Sequence, residues 1–238
     1  MNKKLRLSAS QISLFKRCKR AWYLRYIEKI KEPYKPWLTT GVNFHSCIEG
    51  IYKKILGEEV KEKYYDRELI DMVRDAFDKG VLYVPNKFIP EKRIKFDINE
   101  HASMIGYVDL IDVTDGKLND HKTIKSSKWA LNEDQLKEDL QLNIYGYWYL
   151  KKIPSRKHVW FRHNQLHKID SDLSTFVEVK VSRDDVYQYW ETEIAPLVDE
   201  IVELKIESEK SKYICEQKSC GDYGGCGYKD NCEEHKYL

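Results

Sequence analysis

Apolar residues recur at helical spacing towards the two ends of the chain and cluster in short alternating runs between them. Ser8-Ala9-Ser10 opens a predicted helix whose apolar positions are Ile12, Phe15, Trp22 and Tyr26; Pro33 and Pro36 end that segment. Thr39-Thr40-Gly41 precedes a second helix that carries Phe44, His45, Ile48, Glu49, Ile51 and Tyr52. A third, charged helix is predicted over 64–79, closed by Gly80. The runs 92–99, 103–113, 117–123, 157–163 and 175–181 predict strands. Residues 134–152 predict a helix that stops before Pro154. Residues 183–209 predict a long helix kinked at Pro196, whose ring removes a main-chain donor. A tail over 211–238, rich in Cys, Gly and Lys, follows.

The order is helices, three successive strands, a helix, two strands, a long helix and the tail. It predicts an α/β (α+β) fold with a mixed central sheet. At 238 residues the chain suits a single domain. Its expected parts are a helical N-terminal region (1–85), a sheet core (86–182) and a C-terminal helix with its Cys-rich tail (183–238).

A hydrophobic content of 42% with 34% charged residues fits a soluble globular protein. No run of ~18 apolar residues predicts a membrane span. Met1-Asn2-Lys3-Lys4-Leu5-Arg6 leads into polar residues instead of an apolar stretch, so no secretory signal is read and the cytoplasm is the expected location. The net charge is only +2, but residues 1–35 hold eleven Lys and Arg against two Glu. Phe15, Trp22, Tyr23, Tyr26 and Tyr34 interleave with these cations. Such a mixture suits a nucleic-acid strand, with cations on phosphates and rings on bases. It also suits an amphipathic helix with core rings and solvated charges. Both are expected in part, with core rings on one face and phosphate-facing cations on the other.

The densest chemistry falls on one predicted hairpin. Gly106-Tyr107-Val108-Asp109-Leu110-Ile111 and Lys117-Leu118-Asn119-Asp120-His121-Lys122-Thr123 flank a turn at Thr114-Asp115-Gly116. Asp120 and Lys122 are two apart and share a strand face, and Asp109 can approach them across the hairpin. An exposed Asp–Lys salt bridge is one reading, and such pairs are worth little. Two carboxylates and an ammonium gathered on one face are a costly packing choice. They suit a hard divalent cation beside a phosphodiester, with the lysine near the attacking water.

Cysteines form a second constellation. Four of the six, Cys215, Cys220, Cys226 and Cys232, fall within the tail at spacings C-x4-C-x5-C-x5-C. A cytoplasmic location argues against disulfides. Thiolate ligation of zinc or of an iron–sulfur cluster remains, and spacing alone leaves the two level.

Leu7-Ser8-Ala9-Ser10-Gln11-Ile12 leads to Cys18 and then Ala21-Trp22-Tyr23. Gly41-Val42-Asn43-Phe44-His45 has Glu49 one turn later. Gly106 to Asp109, Asp120-His121-Lys122-Thr123, Gln141-Leu142-Asn143-Ile144-Tyr145 and the three last cysteines follow. In that order these segments resemble the RecB-like branch of the PD-(D/E)XK nuclease superfamily over nearly the whole chain. Within it they are similar to the iron–sulfur exonucleases: CRISPR-associated RecB-like exonucleases, the AddB nuclease domain and phage-encoded relatives.

The resemblance implies a restriction-endonuclease-like core and a metal-dependent DNA exonuclease acting on single strands or ends. It implies that His45, Asp109, Asp120 and the main-chain carbonyl of His121 bind Mg2+ or Mn2+, with the imidazole tilting preference towards Mn2+. Lys122 would orient the water or stabilise developing charge. Gln141 and Tyr145, one turn apart, would position the lysine and the strand. Cys18, Cys220, Cys226 and Cys232 would hold a 4Fe–4S cluster that ties the C-terminal helix to the first helix. Many relatives open the tail with a tighter C-x2-C, so Cys215 stands as a replacement for Cys220 or as a thiol outside the cluster. Zinc is the alternative occupant. Cys47 reads as a core cysteine. Glu49 is a second-layer or surface carboxylate, and Glu91 ranks below the others as an accessory acid. The rival functions are a structure-specific endonuclease, a nuclease with CRISPR or phage-recombination partner proteins, and a silent DNA-end-binding module.

Overall fold

The computed structural model describes residues 4–33, 36–60, 67–168, 170–207 and 209–233. Its elements are β1 (Leu5–Leu7), α1 (Ala9–Arg17), α2 (Lys19–Tyr26), α3 (Pro36–Ile55), α4 (Arg67–Asp78), β2 (Phe88–Asp97), β3 (Ala102–Asp112), β4 (Lys117–Ile124), α5 (Glu133–Lys137), α6 (Leu140–Lys152), β5 (His158–His167), β6 (Thr175–Ser182), α7 (Arg183–Tyr189) and α8 (Ala195–Glu207). The strands pair in the order β1-β3-β4-β5-β6, with β2 also on β3. β1–β3 and β4–β5 are parallel, and β3–β4 and β5–β6 antiparallel, so the sheet is mixed as expected. Among the described residues no helix is long and apolar enough to cross a membrane.

Several boundaries differ from the sequence expectation, each for a local reason. The first helix is two helices broken at Cys18, whose backbone is extended (φ −161°) and whose sulfur accepts the Ala21 N–H as the N-cap of α2. The expected helix 134–152 is also two. Asp139 interrupts it and caps α6 by accepting the Leu142 N–H at 2.8 Å. α3 starts at Pro36, as a proline at a helix start can, and so takes in Gly41. The kink expected at Pro196 is a π turn over Trp190–Ile194, in which Ala195 N–H reaches Trp190 O, just ahead of the residue that cannot donate. β1 has only three residues, too few for any periodicity. β5 runs four residues past its expected end, where three of the four buried side chains, Asn164, Gln165 and His167, are polar and hide the strand pattern. Tyr34, the first residues of the expected third helix (64–66) and the last part of the tail (234–238) lie outside the described residues.

The fold resolves into two compact units, one of residues 35–94 and 107–188, the other of 1–34, 95–106 and 189–238. In the first unit α3 and α4 build a core from Phe44, Cys47, Ile48, Tyr52, Leu69, Val73 and Ala76, closed by Leu110 of β3 and Leu166 of β5. The i, i+3/i+4 stripe of α3 faces that core, and His45 and Glu49, one turn apart, lie along its edge. Cys47 is a core residue, as read. In the second unit Phe15, Trp22 and Tyr23 are buried, Trp22 stacks on Tyr213 at 6.1 Å, and Lys16 and Lys19 pair with Glu193 and Glu200. The N-terminal rings are therefore core, and these two cations have partners within the same unit.

Helix α6 depends on a close approach. A Cβ placed on Gly146 would stand 2.8 Å from the Phe161 ring of β5. Gly146→Ala gains about 1 kcal/mol of helix propensity but overpacks this contact at about 1–3 kcal/mol. Urea unfolding of Gly146→Ala is expected to show a net loss of stability; a gain would mean that α6 is not held against β5 here.

Candidate functional site

The hairpin forms as read. Gly116 takes φ +70°, Asp112 Oδ1 accepts the Thr114 and Asp115 N–H groups, and Arg156 donates to the Val113, Thr114 and Asp115 carbonyls. Leu110 pairs with Asn119, so Asp109 and Asp120 are the next residues along their two strands. Asp109 Oδ2 accepts the His121 N–H at 2.7 Å. The parallel pairing of β4 with β5 sets His163 beside Asp120.

Asp120 is buried and both of its oxygens are engaged. Oδ1 accepts from Lys122 Nζ at 2.7 Å and from Gln141 Nε2 at 2.6 Å, and Oδ2 lies 3.2 Å from His163 Nε2. Burial opposes its charge, but Lys122 and His163 outweigh that and hold its carboxyl well below the usual range. Desolvation likewise opposes the Lys122 ammonium, and the Asp120 and Asp109 carboxylates outweigh it. Gln141 thus shares the carboxylate oxygen that orients Lys122. Tyr145, one turn on, is buried; burial and then Asp120 and Asp109 raise its hydroxyl pKa.

On the other side of Asp109 the balance reverses. One ligating atom each from His45, Glu91 and Asp109 lie within 4.8 Å of one another, and among the described residues no other such trio occurs. His45 Nδ1 is 3.6 Å from Asp109 Oδ2. Burial, and then Lys122, lower the His45 pKa, leaving a neutral imidazole near pH 7. Burial, Asp109 and then Glu49 push Glu91 up to about 8. Burial and Asp120 raise Asp109 as well. Glu91 also sits at φ +44°, a backbone region that costs a non-glycine residue about 1–3 kcal/mol and gathers at functional sites. Imidazole and carboxylate donors that crowd and resist ionisation are a set that a divalent cation relieves, so the residues fit such an ion.

The His121 side chain turns to the opposite face of β4 from Asp120. Asn164 Oδ1 accepts from Arg162 Nε, so its amide donates to His121 Nδ1 at 2.9 Å. Burial lowers the His121 pKa to about 3. Its main chain meets the trio through the N–H on Asp109 and a backbone hydrogen bond with His45, and its ring lies 6.4 Å from the His45 ring. Two residues of the site escaped the sequence reading or were underrated. His163 is the last residue of the expected strand, in the polar half of β5, where nothing local marks it as a partner of Asp120. Glu91 was set low because it was placed ahead of its strand instead of within β2.

In the other unit Cys18, Cys215, Cys220, Cys226 and Cys232 line one pocket together with Arg20, Ala21, Leu24 and Tyr228. Backbone N–H groups of Ala21 and Glu216 point at Cys18 Sγ, and that of Tyr228 at Cys226 Sγ. Burial and the neighbouring sulfurs raise the Cys215 pKa. Five thiols around one pocket, two of them with backbone donors aimed at their sulfurs, have the donor chemistry of a thiophilic metal or cluster.

A profile of the PD-(D/E)XK nuclease superfamily matches residues 6–233. The chain belongs to the PD-(D/E)XK nuclease superfamily. Its hairpin with Asp109 and Asp120-His121-Lys122 lies within the matched span, and nucleases of this superfamily use divalent metals. The fold is similar to that of the protein SSO0001 (16% identity, TM-score 0.54, covering 98% of this chain and 88% of that one). It is also similar to a protein from Eubacterium rectale named as a candidate exonuclease (12%, 0.52, covering 97% and 86%). No curated protein matches closely enough to count as a relative.

A carboxyl whose folded pKa exceeds its unfolded value adds stability at low pH and loses it as the pH rises through the folded value. With Glu91 raised from 4.5 to about 8, metal-free wild type should lose stability relative to Glu91→Gln between pH 5 and pH 9. The same substitution should weaken Mn2+ binding at least about tenfold. Melting curves and calorimetric titration read both effects; parallel pH profiles would place Glu91 outside the charge cluster.

Proposed function

We propose that the protein is a metal-dependent DNA exonuclease acting on single strands or ends. The carrying observation is the split in charge across the hairpin: Asp120 is compensated by Lys122, Gln141 and His163, while Asp109 faces Glu91 and an unprotonated His45. His45, Glu91 and Asp109 would hold Mg2+ or Mn2+, with Asp120 and the His121 carbonyl alongside. A cation bound there supplies Lewis acidity towards the phosphodiester and acidifies water. Lys122, whose side chain remains 44% exposed, presents a held ammonium to the attacking water or to the developing negative charge. Gln141 keeps Lys122 and Asp120 in register. Support for a single-strand substrate comes from Tyr107, 53% exposed and two residues before Asp109 on the same strand face, where a ring can stack on an unpaired base.

The cysteine pocket is read as the seat of a structural 4Fe–4S cluster, with zinc as the other occupant its ligands accept. The reading extends to no particular pathway.

The test is cleavage of labelled linear and circular, single- and double-stranded DNA with Mn2+, Mg2+ or EDTA. Metal-dependent shortening of linear single strands is expected. Asp120→Ala and Lys122→Ala should each lower the rate by about 10²–10⁴-fold while DNA binding survives. Cutting of circles would make the protein an endonuclease, and binding without cleavage of any substrate would make it an end-binding module.

A further inference from the structure

We infer that Cys215, in place of Cys220, completes the ligand set of the cysteine pocket with Cys18, Cys226 and Cys232; the inference rests on reading that pocket as a metal or cluster site. Sequence spacing gives Cys215 no privilege. The main chain around it does. Tyr213 is buried and packs between Trp22 and Tyr23, with ring centroids 6.1 and 4.6 Å away. Ile214 O accepts the Arg20 N–H at 3.1 Å. Glu216 N–H donates to Cys18 Sγ at 3.4 Å.

The segment 213–216 is therefore fastened at three points, Tyr213, Ile214 and Glu216, to Cys18 and the α2 helix that it caps, and Cys215 lies between two of them. Its sulfur stands 3.7 Å from Cys232 Sγ. Cys220 sits in the 3₁₀ turn 217–224, where its thiol points at the Glu216 carbonyl from 4.0 Å. Its own carbonyl accepts the Cys226 N–H at 2.8 Å, which gives the residue a main-chain part in presenting Cys226. That part survives replacement of the Cys220 sulfur.

The experiment compares full-length wild type, Cys215→Ser and Cys220→Ser after anaerobic iron and sulfide reconstitution, and separately after zinc loading. Iron, sulfide and zinc contents and absorbance near ~400 nm are measured. Cys215→Ser should lose the bound group and Cys220→Ser should keep the wild-type content. Native alkylation of loaded wild type, read by mass spectrometry, needs no variant: Cys220 should label and Cys215 should be protected. Loss of the group in Cys220→Ser, retention in Cys215→Ser, or the reverse labelling pattern overturns the assignment. Wild type that takes up neither iron with sulfide nor zinc refutes the metal-site reading itself, an outcome separate from a wrong choice of cysteine.

Discussion

Asp109 and Asp120 stand side by side on neighbouring strands, both withdrawn from water, and the residues around them answer to that juxtaposition. Two adjacent carboxylates at low solvent exposure repel each other and lose hydration, so each needs compensation. Asp120 receives it from the chain itself, through an ammonium, an imidazole and an amide within 3.2 Å. Asp109 receives one backbone N–H and only the field of Lys122 and His163 at a distance, and its near neighbours, Glu91 and a lowered-pKa His45, do not neutralise it. The deficit of positive charge is thus confined to one side of the pair. That asymmetry separates a cation seat, built from α3, β2 and β3, from a seat for the lysine, built from β4, α6 and β5.

The elements are shaped to keep this arrangement. The turn at Gly116 and the Arg156 cap fix the hairpin register. The apolar stripe of α3, anchored on α4 and on Leu110, holds His45 at its edge. The break at Asp139 starts α6 where Gln141 meets Asp120, and Gly146 lets the helix lie against Phe161. In the other unit the break at Cys18 does comparable work, since an uninterrupted helix would not turn that sulfur towards the tail.

Much of this was legible in the sequence because hairpin chemistry and strand alternation are local signals, while Gln141 and Tyr145 were marked by the resemblance to known nucleases. The hairpin, the shared face of Asp120 and Lys122, and His45 on an amphipathic helix needed only those rules. What escaped depends on non-local balance. His163 is invisible as a partner until β5 pairs parallel to β4. The polar residues Asn164 and Gln165 do not read as buried strand because their burial is sustained by hydrogen bonds to neighbouring elements. Glu91 acquires meaning only from its left-handed backbone and from the carboxylates it faces. The N-terminal cations read as phosphate-facing, yet Lys16 and Lys19 meet Glu193 and Glu200 some 180 residues away, a pairing no local pattern encodes. The anchoring of Cys215 beside Cys18 is likewise a product of tertiary contacts.

The account stands on the location of the cation seat. Crystals soaked in Mn2+, with diffraction recorded across the manganese absorption edge, test it most directly. An anomalous peak bounded by His45, Glu91 and Asp109 is predicted, absent in Glu91→Gln crystals treated alike. A peak elsewhere, or one that Glu91→Gln leaves unchanged, would contradict the charge asymmetry from which the site is derived.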